Sequence, residues 1–285
     1  MEASKMASEQ SDELLYHYTS IESFVNIIGC GELWASHIRY LNDTSEQRLM
    51  WGHVRARIKT RLDAANENDR DRLQLFQSLA NSPLELDIYL LCFSKDGGDR
   101  LSQWRGYGGV AGVAIGFDIE ELKKRCSAFT YAKSHDQPFP RGFAALNPVH
   151  YIEPSDDERS NQITDIFLDN PNVTEHESRF NREEAFSRRV SLSSTSLKHK
   201  AFREENEWRI AIFDLPENSI RFRTRKSMMI PYVPFDLGRD GPEWPLIPRV
   251  VVGPSPHQTE TIAAIKKMMD DRVVVVGSSI PYRDW

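Results

Sequence analysis

Cysteine is scarce in this chain: Cys30, Cys92 and Cys126 are the only three in 285 residues, and they lie far apart. That excludes a disulfide framework, and it excludes a cysteine zinc site, which needs closely spaced thiols. No apolar run approaches the ~20 residues that a bilayer-spanning helix requires. The opening Met1–Glu13 is polar and acidic, whereas a signal peptide is basic and then apolar. Positive charge is not in excess either, with 36 Lys and Arg against 42 Asp and Glu, a net charge of -6. A protein that coats nucleic acid non-specifically needs the opposite balance. Internal repeats and a convincing linker are missing as well. These absences predict a cytoplasmic protein without metal or membrane: a frayed tail over 1–12, then a single domain over 13–285. Helical and loop insertions are expected around 45–85 and 127–200.

What is present begins at Leu14. Residues 14–36 read as strand, helix, strand. Alternation over Leu14–Thr19 puts Leu15, His17 and Thr19 on one face and Leu14, Tyr16 and Tyr18 on the other. Thr19 with Glu22 three residues on is a capping box, which starts a helix directly after the strand. Phe24, Ile27 and Ile28 give that helix one apolar face, and Gly29 and Gly31 end it. A histidine at the end of a buried strand, beside a helix N-terminus, is the shape of a site for an anion or a ribose.

Further along, Thr44 and Gln47 form a second capping box, and Met50, Val54, Ile58 and Leu62 follow at helical spacing. Leu73, Phe76 and Leu79 predict another helix. Leu86–Ser94 is nearly continuous in apolar residues, as a central strand should be, and Val110–Phe117 is a second such strand. Asp118 with Glu121 starts a helix. Residues 127–175 lack period, apart from a strand at Val149–Ile152 and a helix near 156–169. A helix near 175–190 and a loop at Ser191–Ser196 follow. Strands are expected at Glu207–Phe213, Ile220–Arg225 and Met228–Pro231, and the chain finishes as strand (Arg249–Val252), helix (Gln258–Met269) and strand (Arg272–Val276). The class is α+β.

Two stretches carry candidate chemistry. In Phe202–Ile210, Glu205 and Glu207 are two apart, so an extended chain aims both carboxylates the same way, with Arg209 next in line. Two carboxylates in one cleft suit a reaction that develops positive charge on a sugar, since a fixed anion lowers that barrier. The alternative is an ion pair between Glu207 and Arg209. Arg105, bordered by Gly106, Gly108 and Gly109, is a candidate for pyrophosphate, which arginine grips bidentately. Those glycines match neither a phosphate loop nor a dinucleotide fingerprint. Two basic patches, Arg221–Lys226 and the scattered Arg188, Arg189, Lys198, Lys200 and Arg203, are solvated faces or contacts for a phosphate-bearing ligand or RNA.

A resemblance joins these pieces. Tyr16-His17-Tyr18-Thr19, Leu33-Trp34-Ala35-Ser36, Cys92-Phe93-Ser94, Gln103-Trp104-Arg105-Gly106-Tyr107, Gly112–Asp118, Glu205–Ile210, the closing Val251–Pro254 and Ser278–Tyr282 fall in order. They resemble a widespread bacterial family of unassigned function that opens with Leu-Tyr-His-Tyr-Thr-Ser. Its order of a histidine strand, a middle strand ending in serine or an aromatic and a late glutamate strand is similar to the ADP-ribosyltransferase superfamily. The resemblance implies a mixed, split β-sheet core with flanking helices. It also implies an enzyme that cleaves NAD, its substrate, at the nicotinamide–ribose bond and passes ADP-ribose to a macromolecular acceptor, protein or nucleic acid. A toxin or phage-defence effector with an inhibitory partner would fit that chemistry.

Carried over to this sequence, Glu207, Glu205 and His17 are the catalytic candidates. His17, Thr19, Ser36, Tyr40, Ser94, Trp104, Arg105 and Tyr107 are the candidates for holding the dinucleotide. Glu207 would hold the ribose 2′-hydroxyl, Glu205 the acceptor, and Ser94 would orient the glutamate. Tyr40, Trp104 or Tyr107 would stack on nicotinamide, a cation–π contact of about 1–2 kcal/mol when desolvated. The chain mixes two superfamily patterns: histidine on the first strand usually goes with a middle-strand tyrosine, and Glu-x-Glu with arginine on the first. The acceptor and the stacking aromatic therefore stay open. Two alternatives stand beside this reading: an RNA-directed transferase of the same fold, and a catalytically inactive module that binds a nucleotide or a partner.

Overall fold

The structure, a computed structural model, describes residues 14–41, 45–82, 86–108, 111–129, 142–153, 182–225, 227–239 and 246–281, with residues 158, 161, 162, 165 and 168 besides. The expected tail over 1–12, the Thr44 cap and most of the aperiodic stretch 127–175 lie largely or wholly outside the described residues. In chain order the main elements are β1 (Leu14–Ser20), α1 (Ile21–Cys30), β2 (Glu32–His37), α2 (Ser45–Asp63), α3 (Glu67–Asn81), β3 (Ile88–Ser94) and β4 (Gly112–Asp118). Then come α4 (Ile119–Ala128), β5 (Phe143–Pro148), β6 (His150–Ile152), α5 (Arg182–Ser194), β7 (Leu197–His199) and β8 (Glu207–Phe213). β9 (Arg221–Arg225), β10 (Met228–Asp236), β11 (Arg249–Val252), α6 (Gln258–Met268) and β12 (Val274–Gly277) complete the chain.

The chain divides into two compact units. The first takes Met1–His37, Tyr89–Pro148 and Glu204–Trp285; the second takes Ile38–Ile88 and Val149–Arg203. The second is helical, with a short parallel pair β6–β7. Met50, Val54 and Ile58 of α2, each fully buried, meet Leu73 and Phe76 of α3 and Phe186 of α5 in its core. The i, i+4 spacing anticipated that stripe.

The first unit is an α+β domain built on a mixed, mostly antiparallel sheet of ten strands in the order β12-β11-β4-β1-β3-β2-β10-β9, with β8 also on β3 and β5 on β8. Only β11–β12 is parallel among the registered pairs of this sheet. Alternation sends Leu15, Leu33, Ala35, Leu91, Phe93, Ile115, Ile210, Ile212 and Val233 into the main core, where Phe24, Ile27 and Ile28 of α1 join them. On the other face, Leu14, Tyr16 and Tyr18 pack with Ala114, Val251 and Trp104.

Local details depart from the sequence reading. Thr19 does not cap α1; it stays in the β1–β4 ladder opposite Val113, and Ser20 accepts from the Ser23 amide at 3.1 Å instead. Asp118 caps α4 as expected, accepting from Glu120 and Glu121. The helix α5 runs to Ser194, through most of the expected serine loop. Strand β10 continues to Asp236 past Pro231 and Pro234, where the rule against proline in a paired strand predicts a stop.

Candidate functional site

The site grows from a branch in the sheet. Strand β3 pairs with β1, β2 and β8. β1 meets it at one end, Tyr16 opposite Ser94, and β2 at the other, with Ser36 opposite Leu90 and His37 opposite Tyr89. Between those pairings lies Cys92, and His17 reaches it: Nδ1–H donates to the Cys92 carbonyl at 3.0 Å. A carbonyl can only accept, so this bond fixes the proton on Nδ1 and leaves Nε2 as an acceptor. The imidazole thus sits where β1 parts from β3, with its ring 5.8 Å from Phe93.

Burial lowers the His17 pKa below its usual value, the Cys92 carbonyl opposes that shift, and the positive charge of Arg223 adds to it. The ring is therefore neutral in the folded protein at pH 7. The sign for stability follows. The unfolded state takes up a proton near pH 6.5, while the folded state resists until lower pH. Stability is full above pH 6.5 and is lost as pH falls from there through the folded value. We expect the urea midpoint of the wild type to fall between pH 6.5 and 5, and His17→Gln to flatten that part of the profile. An unchanged slope would show that His17 does not set it.

Arg223, whose charge acts on His17, comes from β9. Its Nη2–H donates to Ser36 Oγ at 2.7 Å, and its guanidinium carbon lies 5.9 Å from the Trp34 ring centroid. Trp34 in turn stacks on Tyr232, 4.6 Å between centroids. Register explains the grouping: Tyr232 is opposite Ser36, Pro234 opposite Trp34 and Ile230 opposite Arg223, so these side chains project from one face of β2, β10 and β9. Leu33 and Ala35, their alternates on β2, point into the main core.

Glu207 is fully engaged elsewhere. Its two oxygens accept from Arg209 Nε and Nη2 at 2.8 and 3.0 Å, and both residues are buried, at 6% and 3% relative exposure. This is the ion pair that the sequence offered as the alternative to a catalytic carboxylate. Trp208, Ile210 and Ile212 turn the other way, into or against the main core, as alternation predicts. Glu205 does not share that strand. It ends a 3-10 helix over Lys200–Glu205, and Asn206 turns the chain with φ 41 before β8 begins. The expectation of two carboxylates aimed alike from one extended segment is corrected here: the left-handed residue between them breaks the alternation.

Ser94 is buried and donates to the Glu205 carbonyl, while the Lys95 amide donates to the Asn206 carbonyl at 2.9 Å. The serine therefore positions the backbone entering β8, not the Glu207 carboxylate.

The remaining candidates separate. Thr19, half-buried, stays in the β1–β4 ladder. Trp104 is buried at 2% exposure, on the Tyr16/Tyr18 face, with its indole N–H on Asp99 at 2.9 Å. Arg105 and Tyr107 are exposed on the π-helical turn Trp104–Gly108. Tyr40 belongs to the second unit. His17 and Ser36 are thus brought together through Arg223, while Trp104 is not part of that group. Arg223, Trp34 and Tyr232 were not singled out as site residues from sequence; the available signal was the alternation of Arg221, Arg223 and Arg225, which puts three cations on one face of a strand.

Among the described residues, no group of three or more His, Cys, Asp and Glu side chains could hold a metal ion, and no helix is long and apolar enough to cross a membrane. A family model described as a protein of unknown function (DUF2971) matches residues 103–210, which takes in Trp104 and Glu207 but neither His17 nor Arg223. Neither a curated protein nor a solved structure matches the chain.

Proposed function

We propose that the first unit is a nucleotide-binding domain of the ADP-ribosyltransferase-like split-sheet type, with its ligand, NAD or an ADP-ribose-bearing molecule, held at the parting of β1 and β3. The supporting observation is His17, fixed by the Cys92 carbonyl with Nε2 left to accept from a ribose hydroxyl, in the field of an arginine that also holds Ser36. Hydroxyl donors for the imidazole and an oxyanion for the arginine describe a nucleotide's ribose and phosphate. In this reading Glu207 is structural, because both its oxygens are committed to Arg209.

The second reading is the active transferase, which splits NAD and passes ADP-ribose to a protein or nucleic acid, as a toxin or phage-defence effector would. It is favoured by the chain order His17, Ser94, Glu207 and by Ser94 holding the entry to the glutamate strand. One experiment separates the two. Titrate the full chain with NAD and ADP-ribose by calorimetry, and in parallel follow nicotinamide release from labelled NAD. The binding reading expects saturable heat, weakened about tenfold in His17→Ala through one lost hydrogen bond, and no release. Release by the wild type that a folded Glu207→Gln variant loses selects the transferase. Absence of binding to either ligand overturns both.

A further inference from the structure

The structure assigns Arg223, with Trp34 and Ser36, as the anchor for a phosphate or pyrophosphate oxyanion. The assignment deepens the nucleotide reading but rests on its own observations. Arg223 is half-buried, and among the described residues no carboxylate lies within ion-pairing distance of it. Its Nε is buried and without a hydrogen-bond partner, and so is the Trp34 indole Nε1 beside it. Ser36 Oγ already accepts from Nη2, so its own proton remains to be donated. Three donors of one region thus lack an acceptor, and one belongs to a permanent cation.

Buried polar groups are nearly always satisfied, and a lone buried charge is the costliest exception. Elsewhere in the first unit, Tyr16 Oη and Arg249 Nε are also buried without partners; the Arg223 group differs in bringing a guanidinium N–H, an indole N–H and a hydroxyl together on one face of the sheet. The Tyr232 phenol stands in the field of Arg223, yet Nε makes no hydrogen bond to it. A tetrahedral oxyanion supplies several acceptor oxygens at once, and the planar guanidinium grips it through paired N–H groups. Burial depresses the Arg223 pKa and the Arg225 charge depresses it further, so the uncompensated charge is already costly in the free protein. A small phosphate ester is favoured over an RNA backbone. Arg221 and Arg225 are exposed, and Arg221 is engaged with Glu32 at 3.4 Å, so among the described residues no continuous track of free cations flanks the half-buried one.

The test uses the full chain with inorganic pyrophosphate, ADP, adenosine and NAD as probes, read by calorimetry and by thermal melting. Pyrophosphate and ADP should bind and adenosine much more weakly. Arg223→Gln should weaken pyrophosphate and ADP about 10- to 100-fold, through loss of a charge-assisted bidentate contact. Its melting temperature without ligand should be unchanged or raised, because a half-buried charge without a carboxylate partner has gone. Lys123→Gln, an exposed charge on α4, should leave binding within about twofold. Unchanged pyrophosphate and ADP affinity in Arg223→Gln, or a lowered melting temperature with intact binding, overturns the assignment. If RNA binds more tightly than ADP with steep salt dependence, the small-ligand form of it falls. NAD that binds equally well to Arg223→Gln leaves the nucleotide reading standing without this anchor; pyrophosphate binding without NAD binding does the reverse.

Discussion

Glu207→Ala is expected to destabilise the first unit by about 3–5 kcal/mol, because it removes the carboxylate partner of a buried guanidinium. Arg209 is 3% exposed and donates two hydrogen bonds to Glu207. Removing the carboxylate deletes the charge that compensates it, whereas truncating an exposed ion pair costs at most about 1 kcal/mol. For a domain of this size, the thermal midpoint should fall by about 6–20 °C. Glu207→Gln should cost less, since the amide oxygen still accepts one bond. The double change Glu207→Met, Arg209→Leu should recover most of the loss, since an apolar pair of similar volume has no desolvation penalty. Differential scanning calorimetry on the four proteins decides it. A single Glu207→Ala variant as stable as wild type would show that the carboxylate is not tied to Arg209, and would return it to the list of groups free for chemistry.

That expectation changes how an activity assay on Glu207 variants is interpreted. Loss of nicotinamide release in an unstable variant is not proof of a catalytic glutamate. The Glu207→Gln protein must first be shown folded at the assay temperature.

Much of this arrangement was legible in the sequence, and the limits have physical causes. Strand β8 has the ends that its alternation predicts, with Trp208, Ile210 and Ile212 turned together, because a half-buried strand writes its period into its residues. β1 shows the same two-face division. The Glu205–Glu207 geometry was not legible, because Asn206 adopts φ 41 in response to Lys95 and Ser94, which are over a hundred positions away in sequence. The branch at β3 was not legible locally: which strands pair is decided by contacts among Tyr16, Ser94, Ser36 and Leu90. Arg223 read as one of a run of surface cations. Its burial depends on Trp34 and Ser36 lying opposite β10, which no window on β9 contains. Long-range register, not composition, makes the candidate site.

Trp104→Ala is expected to cost about 3–5 kcal/mol, as for other buried tryptophans, while Tyr107→Ala stays within about 0.5 kcal/mol, as exposed positions do. The two aromatics are three residues apart on the same turn, and sequence offered both as stacking partners for a ligand. Trp104 packs edge-on against Tyr18, 4.7 Å between centroids, and its indole N–H is bound to Asp99. Glycines make the room: a Cβ on Gly108 or Gly253 would come within 3.0 Å of the ring. Asp99 also accepts from Ser278 and Ser279, so the indole closes a polar network that ties the segment after β12 to this turn. Asp99→Ala should therefore reproduce part of the Trp104 effect, about 1–3 kcal/mol, by leaving the indole N–H unsatisfied. Tyr107 is 43% exposed. Urea unfolding of the three variants, with nucleotide titrations on the folded ones, separates the roles. A Trp104→Ala protein of wild-type stability would mean the indole is not the core of this turn, and would return it to the candidates for stacking on a ligand.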